Sequence, residues 1–249
     1  MNTIYGRNTI LETLNSHPES ISKVYVQISK HDTKITEILI KAKQKSIAVG
    51  KASSQKLTAI CNTDKHQGVC AIISHIQVVP LRTLLENLQN TPKKILFAIL
   101  DCIQDPHNMG AIIRTAECAG ADAVLIPKDN SAPLNATVHK TSAGAISHIP
   151  VCKIGNVAQT IEELKKHNIW VVGSDSDEHS QIYTSFDFNQ HVAVVIGSEG
   201  NGIRPLVKRG CDAIVHIPLF GKISSLNASV AAGILFFEIL RQRTNHLTS

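Results

Sequence analysis

The sequence lacks the cysteine and histidine spacings that mark metal sites. Its six cysteines include no C-x-x-C pair, and its twelve histidines include no H-E-x-x-H motif. A zinc site with the usual ligand spacing is therefore not expected, and we predict no bound metal. The cysteines are expected to be free, buried thiols of a protein from a reducing compartment.

Long hydrophobic runs are also missing. The longest, Val230 to Phe237, is far shorter than the roughly 18 residues that span a bilayer. The first residues, Met1 to Tyr5, lack the charged and apolar regions of a signal peptide. Of the 249 residues, 43% are hydrophobic and 18% are charged, which is typical of a globular protein. We expect a cytoplasmic protein with one large or two modest domains and no membrane partner.

The net charge of +5 is unevenly distributed along the chain. Residues 1–90 contain 11 lysines and arginines and 6 acidic residues, whereas residues 91–249 contain 14 of each. The basic excess therefore belongs to the first third. A basic module joined to a neutral one favours contact between the basic module and a polyanion. A solvated lysine-rich face without a partner would give the same counts, so composition alone leaves both interpretations open.

Residues 5–75 are predicted to form a compact α/β module. Its main predicted elements alternate between helix and strand: Gly6 to Leu14, Lys23 to Ile28, Thr33 to Lys45 and Val69 to Ser74. Ser53 is a suitable N-cap for a short helix that ends at Cys61. Residues 76–93 contain two prolines and a short helical stretch, and we interpret them as a linker. The predicted domains are thus 1–75 and 94–249.

Residues 94–249 contain short apolar strands separated by helical patterns. The strands are expected at Ile95 to Leu100, Ala123 to Ile126, Ile169 to Val172, Val192 to Ile196 and Ala213 to Ile217. Apolar strands that alternate with helices indicate an α/β fold with a parallel sheet covered on both faces. In such sheets ligands bind beyond the carboxyl ends of the strands, so the chemistry is expected in the loops that follow them.

The first such loop runs from Asp101 to Gly110 and is predicted to open a helix that ends near Ala119. A helix N-terminus offers free N–H groups and the positive end of the helix dipole, which suit a phosphate. Arg114, expected in the first turns of this helix, adds a planar guanidinium that also suits phosphate. Its charge would oppose the dipole there, which favours an external anion as its partner. A solvent-facing arginine is the alternative.

Two later loops are rich in glycine and small polar residues. Ile196 to Ile203 has glycines in the order G-x-x-G-x-G, which permits tight turns and close backbone approach to a ligand. This order matches neither the dinucleotide-binding fingerprint nor the G-x-S-x-G nucleophile elbow. Ile217 to Asn227 precedes a helix predicted from Ala228 to about Arg243, which Ser225 or Asn227 could cap. Capping alone does not explain why a glycine and a Ser-Ser-Leu-Asn run occur together.

Together the three segments resemble, in order and spacing, the three motifs of the SpoU (TrmH-like) 2′-O-ribose methyltransferases of the SPOUT superfamily. The resemblance covers residues 95–243. The matching positions are Asn108 and Arg114 in the first motif, Gly197, Glu199, Gly200 and Gly202 in the second, and Ser225, Leu226 and Asn227 in the third. In addition, Tyr5 to Asn8 and His66 to Val69 resemble the two ends of the N-terminal domain in this family's 23S rRNA (guanosine-2′-O-)-methyltransferases.

The resemblance implies a fold that sequence patterns would not suggest, because knots are nearly absent from proteins. It implies a SPOUT domain with a deep trefoil knot and S-adenosylmethionine bent inside it, held through backbone groups of Gly197, Ile217 and Leu226. It implies a homodimer that packs through the knotted regions. The apolar C-terminal helix is compatible with this, although burial within one chain would explain that helix equally well. It also implies a small N-terminal α/β domain, similar to ribosomal protein L30e, that binds RNA.

The implied reaction moves a methyl group from S-adenosylmethionine to the ribose 2′-hydroxyl of a guanosine in 23S ribosomal RNA. The hydroxyl is a very weak acid, so catalysis has to align it and stabilise the charge that develops on its oxygen. Arginine is a poor proton acceptor. Arg114 is therefore expected to bind an RNA phosphate or to stabilise the incipient alkoxide. Asn108, Glu199, Ser225 and Asn227 would position the reacting groups.

Two other functions remain open from the sequence. A tRNA ribose 2′-O-methyltransferase would use the same chemistry, although tRNA relatives often lack an additional N-terminal module. A non-catalytic RNA-binding protein with a degenerate methyltransferase fold would not need Asn108, Arg114, Glu199 and Asn227, all of which are present.

Overall fold

The computed structural model describes residues 2–16, 18–28, 32–73, 76, 78–88 and 91–245. The chain divides into two compact units, each with its own sheet. The first comprises Met1–Ile76 and Pro133–Lys140, and the second comprises Gln77–Ala132 and Thr141–Ser249. Within the described residues, none of the helices has the length and hydrophobicity that a membrane span requires.

The first unit alternates strands and helices along most of its length. Its elements are β1 (Asn2–Tyr5), α1 (Arg7–Ser16), β2 (Ile21–Gln27), α2 (Thr33–Gln44), β3 (Ala48–Ala52), α3 (Ser54–Cys61) and β4 (Val69–Ile73). The strand order is β1-β4-β2-β3; β2 and β3 are parallel, and the other two pairs are antiparallel. As predicted, Ser53 caps α3, because its side chain accepts the N–H of Lys56. Ser74 and His75, at the predicted domain end, lie outside the described residues.

Helices α1 and α2 pack on this sheet through aliphatic side chains. In α2 the predicted stripe is confirmed: Ile35, Ile38 and Ala42 are buried, and Leu39 is partly buried. Residues three and four positions apart share one face of a helix, which is why the spacing predicted this contact. The stripe meets Ile10 of α1 in the same buried cluster.

From residue 78 onward the chain continues with helices and short strands. These are α4 (Leu81–Leu88), β5 (Leu96–Leu100), α5 (Pro106–Cys118), β6 (Ala123–Pro127), α6 (Ala136–Thr141), β7 (Val151–Ile154), α7 (Val157–Lys166), β8 (Trp170–Ser174), β9 (Gln181–Ile182), β10 (Val192–Ile196), α8 (Pro205–Gly210), β11 (Ala213–His216) and α9 (Ala228–Asn245). Most of α6 belongs to the first unit. The sequence patterns did not predict strands β1, β3, β7 and β9.

The second unit is built on a seven-stranded parallel sheet. Its strand order is β7-β6-β5-β10-β8-β11-β9, and every adjacent pair is parallel. All five residues of β5, β6 and β10 are buried, as expected for a parallel sheet covered on both faces. The predicted α/β class with a parallel sheet is therefore confirmed. From β5 the chain proceeds to β6 and β7 on one side, whereas the later strands lie on the other. This reversal creates a crevice beyond the carboxyl ends of β5 and β10.

Helix α5 begins earlier than the sequence analysis predicted. It starts at Pro106, and Asp105 caps it by accepting the N–H of His107 at 2.9 Å. An aspartate N-cap followed by proline is a common helix start, so the signal was present in the sequence. The prediction that Arg114 lies in the first turns is wrong. Arg114 is the ninth residue of α5, beyond the first turn to which the N-terminal dipole effect is confined.

A largely buried arginine attaches the C-terminal helix to the sheet. Arg243 of α9 donates hydrogen bonds to the backbone oxygens of Lys94 at 3.0 Å, Ile95 at 2.9 Å and Gln190 at 2.8 Å. These carbonyls immediately precede β5 and β10. Burial lowers the pKa of the Arg243 guanidinium from its usual value, because desolvation disfavours the charged form. The hydrogen bonds to the three carbonyl oxygens offset this desolvation cost, so losing them would destabilise the protein more than at an exposed arginine.

Replacing this arginine should destabilise the second unit. Arg243→Met keeps a long side chain but removes every donor, and we expect a loss of about 3 kcal/mol in the free energy of unfolding. Arg209→Met, at an exposed arginine of α8, is the matched control and should change stability by less than about 0.5 kcal/mol. Urea unfolding followed by circular dichroism measures both. Equal stability of the two variants would contradict the role assigned to Arg243.

Candidate active site

The first turn of α5 and the loops after β10 and β11 meet through the side chains of Asn108, Glu199 and Asn227. The side-chain Nδ2 of Asn108 donates to Glu199 Oε1 at 2.7 Å. Asn227 Nδ2 donates to the same carboxylate oxygen and to Asn108 Oδ1, the latter at 3.0 Å. The Asn227 amide is itself oriented, because its Oδ1 accepts the N–H and the hydroxyl of Ser229. The structure thus brings together three of the five predicted catalytic residues.

The glycine loop after β10 is a tight backbone hairpin. Ser198 and Gly202 exchange two backbone hydrogen bonds of 3.0 Å each. A side chain at Gly197 would place its Cβ 2.2 Å from the carbonyl carbon of Gly202, so only glycine fits there. Gly200 and Gly202 instead need glycine for conformation, with φ of +86° and +61°. The loop therefore has little freedom to move without losing its shape.

An ion pair between Asp101 and Arg204, which no sequence pattern indicated, holds this loop from its buried side. Asp101, at the end of β5, is fully buried and accepts Arg204 Nε at 2.9 Å and Nη2 at 2.6 Å through Oδ1. Its other oxygen accepts the backbone N–H of Arg204 at 3.0 Å. The hydrogen bond to Asp101 raises the pKa of the Arg204 guanidinium above its usual value. The pair joins the first and second motif loops, which are more than a hundred positions apart in sequence.

A second carboxylate that the sequence analysis missed lies on the opposite flank of the loop. Asp175 follows β8, and its Oδ2 lies 3.2 Å from Lys208 Nζ of α8. Its oxygens also lie 3.0 to 3.3 Å from the position a Cβ would take on Gly202. The only sequence signal was its place after an apolar strand. Asp175 thus limits the space beside Gly202.

These elements enclose a cleft of about 370 Å³ at the carboxyl edge of the sheet. All three residues predicted to hold a cofactor line it, namely Gly197, Ile217 and Leu226. Glu199 and Ser225, two of the predicted catalytic residues, line it as well. The lining combines loop backbone with apolar and hydroxyl side chains. Such a mixture suits a ligand that has both an apolar ring and polar groups.

Arg114 is not part of this arrangement. It is exposed on α5, and within the described residues its guanidinium makes no hydrogen bond or ion pair. Six positions separate it from Asn108, which corresponds to about 9 Å along the helix and about 120° around it. The Asn108–Glu199–Asn227 cluster and Arg114 therefore lie on different faces of α5.

The thiols show no sign of nucleophilic activation. Burial raises the pKa of Cys70 and Cys211 to about 12 and that of Cys152 to about 11, which keeps them protonated. Cys102 lies beside the site, and burial followed by the charge of Asp101 raises its pKa. All six cysteines are free; Cys118 is exposed and Cys102 and Cys211 are only partly buried, contrary to the expectation that all are buried. Within the described part of the chain, no three potential ligand side chains cluster in a way that could hold a metal ion.

A doubly covered parallel sheet, with a glycine-lined cleft beyond the carboxyl ends of β8, β10 and β11, defines this chain as an α/β protein with a ligand-sized site at one edge of its sheet. The family comparison makes the assignment specific. Residues 95–237 match the SpoU rRNA Methylase family, and residues 3–79 match the RNA 2'-O ribose methyltransferase substrate binding family. The chain belongs to the SpoU rRNA methylase family.

Individual relatives support this assignment. A 23S rRNA (guanosine-2'-O-)-methyltransferase RlmB from Neisseria meningitidis is 42% identical over 96% of this chain and 95% of its own. The SpoU methyltransferase AviRb from Streptomyces viridochromogenes, solved in complex with AdoMet, has a TM-score of 0.62 at 21% identity, covering 98% of this chain and 90% of its own. The A. aeolicus TrmH/SpoU tRNA modifying enzyme has a TM-score of 0.57 at 25% identity, covering 66% of this chain and 84% of its own.

The close backbone approach at Gly197 gives a testable expectation. Gly197→Ala should lower the free energy of unfolding by at least about 2 kcal/mol, since the new methyl group meets rigid backbone. Gly155→Ala is the matched control, because a Cβ there meets nothing within 4 Å. It should be neutral within about 0.5 kcal/mol. Thermal unfolding of the two variants is compared with that of the unmodified protein. If Gly197→Ala were as stable as the unmodified protein, the hairpin would have to open to accommodate the methyl group.

Proposed function

We propose that this protein transfers a methyl group from S-adenosylmethionine to the ribose 2′-hydroxyl of a guanosine in large-subunit (23S) ribosomal RNA. The observation that carries the proposal is the convergence of Asn108 and Asn227 on Glu199, which lines the glycine-lined cleft. This cluster joins one residue from each of the three motif loops. The relative from Neisseria meningitidis carries the same activity in its name.

The residues of the cleft fit S-adenosylmethionine. Gly197 presents only backbone to the cleft, and Ile217 and Leu226 supply apolar surface for an adenine ring. Gly197, Ile217 and Leu226 would hold the cofactor, in part through backbone groups. The bound sulfonium supplies an activated methyl group. No metal is needed for this chemistry, because methyl transfer from a sulfonium requires no further activation of the donor.

The contribution of the protein is to position the nucleophile. Asn108 and Asn227 fix the carboxylate of Glu199 by donating to one of its oxygens, which leaves the other oxygen to orient the incoming hydroxyl. Ser225 is exposed at the cleft and can donate or accept a hydrogen bond there. Arg114 would bind a phosphate of the RNA or stabilise the developing negative charge on the 2′ oxygen.

The N-terminal part favours ribosomal RNA over tRNA as the substrate. The basic excess of the chain lies in residues 1–90, and phosphate contacts by such a module supply affinity for structured RNA. The tRNA modifying enzyme from A. aeolicus covers only 66% of this chain, whereas the relative from Neisseria meningitidis covers 96%. We propose residues 1–75 as an L30e-like RNA-binding domain, 76–93 as a linker and 94–249 as the catalytic domain, acting in the cytoplasm.

We also propose that the C-terminal part of the chain forms a deep trefoil knot. Supporting this, the segment after β11 approaches the loop after β10 so closely that Asn227 and Glu199 share a hydrogen bond. The chain then continues into α9, which packs against α5 and returns through Arg243 to the carbonyls before β5 and β10. A segment that threads through a preceding loop and is then fastened beyond it would form such a knot, and these contacts are compatible with that path.

Homodimerisation is the proposed assembly. Helix α9 carries an apolar stripe of Val230, Ile234 and Phe237, of which Val230 and Phe237 are half-exposed. The stripe repeats at positions i, i+4 and i+7, the spacing of one helix face. Helix α5, which packs against α9, exposes Arg114. A dimer formed through these helices would cover the apolar stripe and bring Arg114 near the partner subunit. Arg114 would then be in reach of the RNA bound by its own chain or by the partner.

The proposed activity is tested with the full-length protein. Calorimetry should give a dissociation constant for S-adenosylmethionine in the micromolar range, and ATP and NAD should bind far more weakly. Ribosomal RNA from a deletion strain should lack one guanosine ribose methyl by mass spectrometry, and the purified protein should restore it without added metal. Restoration on tRNA instead of 23S rRNA would refute the substrate, and absence of cofactor binding would refute the reaction.

The role of Arg114 is tested separately. Arg114→Ala should lower turnover at least about a hundredfold, the scale of one lost electrostatic contact in the transition state. Lysine should restore little activity, because it offers a point charge in place of a planar fork. Since Arg114 lies outside the cofactor cleft, the affinity for S-adenosylmethionine should be unchanged, as calorimetry would measure. Near-normal turnover of Arg114→Ala at saturating RNA would contradict the assigned role.

A further inference from the structure

A second cleft lies against the glycine loop, and the proposed function assigns no ligand to it. It has a volume of about 540 Å³, within the range of small-molecule sites. Four residues of the loop line both clefts, namely Ser198, Glu199, Asn201 and Gly202, so the loop forms a wall between them. The remaining lining includes Gln104, Asp105, Asn108, Asn130 and Arg204. Unlike the first cleft, its lining side chains are mostly amides and charged groups.

Glu199 connects the two clefts chemically. This residue lines both of them, and its Oε1 accepts hydrogen bonds from the amides of Asn108 and Asn227. Within the described residues, Oε2 has no hydrogen-bond partner. A carboxylate oxygen that is fixed in position but free to accept suits a hydroxyl donor that enters from the second cleft. A ribose bound in the second cleft would have its 2′-hydroxyl next to Glu199, in the loop that separates the second cleft from the first.

The outer part of the second cleft presents groups that can read a nucleobase. The side chains of Gln104, Asp105 and Asn130 are exposed there. Within the described residues, the amides of Gln104 and Asn130 make no hydrogen bonds. Asp105 uses Oδ1 to cap α5, and its Oδ2 has no partner there. Unstacked bases in RNA are commonly read through hydrogen bonds to their Watson–Crick edges.

The presence of a carboxylate discriminates between bases. The Watson–Crick edge of guanine has two adjacent donors, the N1–H and the 2-amino group, next to the O6 acceptor. An ionised carboxylate only accepts hydrogen bonds, so it matches the two donors of guanine. Adenine offers one donor beside an acceptor nitrogen, which a carboxylate repels. The amides of Gln104 and Asn130 can donate to O6.

We propose that the second cleft is the subsite for the target guanosine. In it the Asp105 carboxylate accepts hydrogen bonds from the N1–H and 2-amino groups of guanine, and Glu199 Oε2 accepts a hydrogen bond from the 2′-hydroxyl. This inference rests on the proposed function, because it assigns a place to that reaction's substrate. Gln104 and Asn130 complete the recognition of the base. The loop Ser198 to Gly202 then separates nucleotide from cofactor and brings hydroxyl and methyl group together at its edge.

Asp105→Asn in the full-length protein is the decisive variant. Asparagine is as good an N-cap as aspartate, so helix α5 is retained, and thermal unfolding checks this. The substrate is the rRNA fragment that contains the methylated nucleotide, prepared with guanosine, inosine or adenosine at that position. The unmodified protein should prefer guanosine, with inosine intermediate because it lacks the 2-amino group. In Asp105→Asn the guanosine-over-adenosine ratio of kcat/KM should fall at least about tenfold, the size of one charge-assisted hydrogen bond.

Asp129→Asn is the matched control, because it removes the same charge from an exposed residue near Asn130 that does not line the cleft. Its base preference and its affinity for S-adenosylmethionine should equal those of the unmodified protein. Gln104→Ala should raise KM for the fragment and leave cofactor affinity unchanged. If Asp105→Asn kept the full preference for guanosine, the subsite assignment would be overturned.

A binding measurement separates this inference from the proposed function. Guanosine 5′-monophosphate at millimolar concentration should shift the NMR signals of the Gln104 and Asn130 side-chain amides, whereas adenosine 5′-monophosphate should shift them less. If these shifts occur but no rRNA is methylated, the proposed function fails and the guanosine subsite stands. If rRNA is methylated and the shifts map to the first cleft or to residues 2–73, the subsite fails and the proposed function stands.

Discussion

One carboxylate oxygen, Oε1 of Glu199, holds the site together, because it receives hydrogen bonds from Asn108 and Asn227 at the same time. The partners are 91 and 28 positions away in sequence, so each bond closes a loop of the chain. Closing loops of this size costs conformational entropy, which the folded sheet offsets by delivering all three loops to one edge. The cluster therefore forms only when strands β5, β10 and β11 have taken their places in the sheet.

The surroundings of this cluster hold the backbone rigid and leave the functional groups accessible. The Asp101–Arg204 pair fixes the loops after β5 and β10 from the buried side, and the contact of Gly197 with Gly202 closes the hairpin. Glu199 itself is exposed at the tip of that hairpin. A weak nucleophile has to be aligned by groups on a rigid support, because small displacements of the reacting atoms lower the rate strongly.

The sequence predicted those features that depend on neighbours along the chain. The strand Val192–Ile196 and the cap at Ser53 agree with the structure because apolar runs and caps are local signals. Strand β3 escaped prediction because it is a mostly exposed strand at the sheet edge with a glycine in the middle, so it has no clear alternation. The roles of Asp101 and Asp175 also escaped, since a carboxylate after a strand gives no indication of its distant partner.

The order of the strands has a consequence for how the protein is synthesised. Strand β10 pairs with both β5 and β8 in the middle of the seven-stranded sheet, yet it is made from residues 192–196. Until the ribosome has released that segment, the two halves of the sheet have no strand to join them, and Arg243 has still to follow. The four strands of the other sheet are all complete by residue 73. The strands of the first unit can therefore pair early in translation, whereas the catalytic sheet has to wait until residues 192–216 have left the exit tunnel.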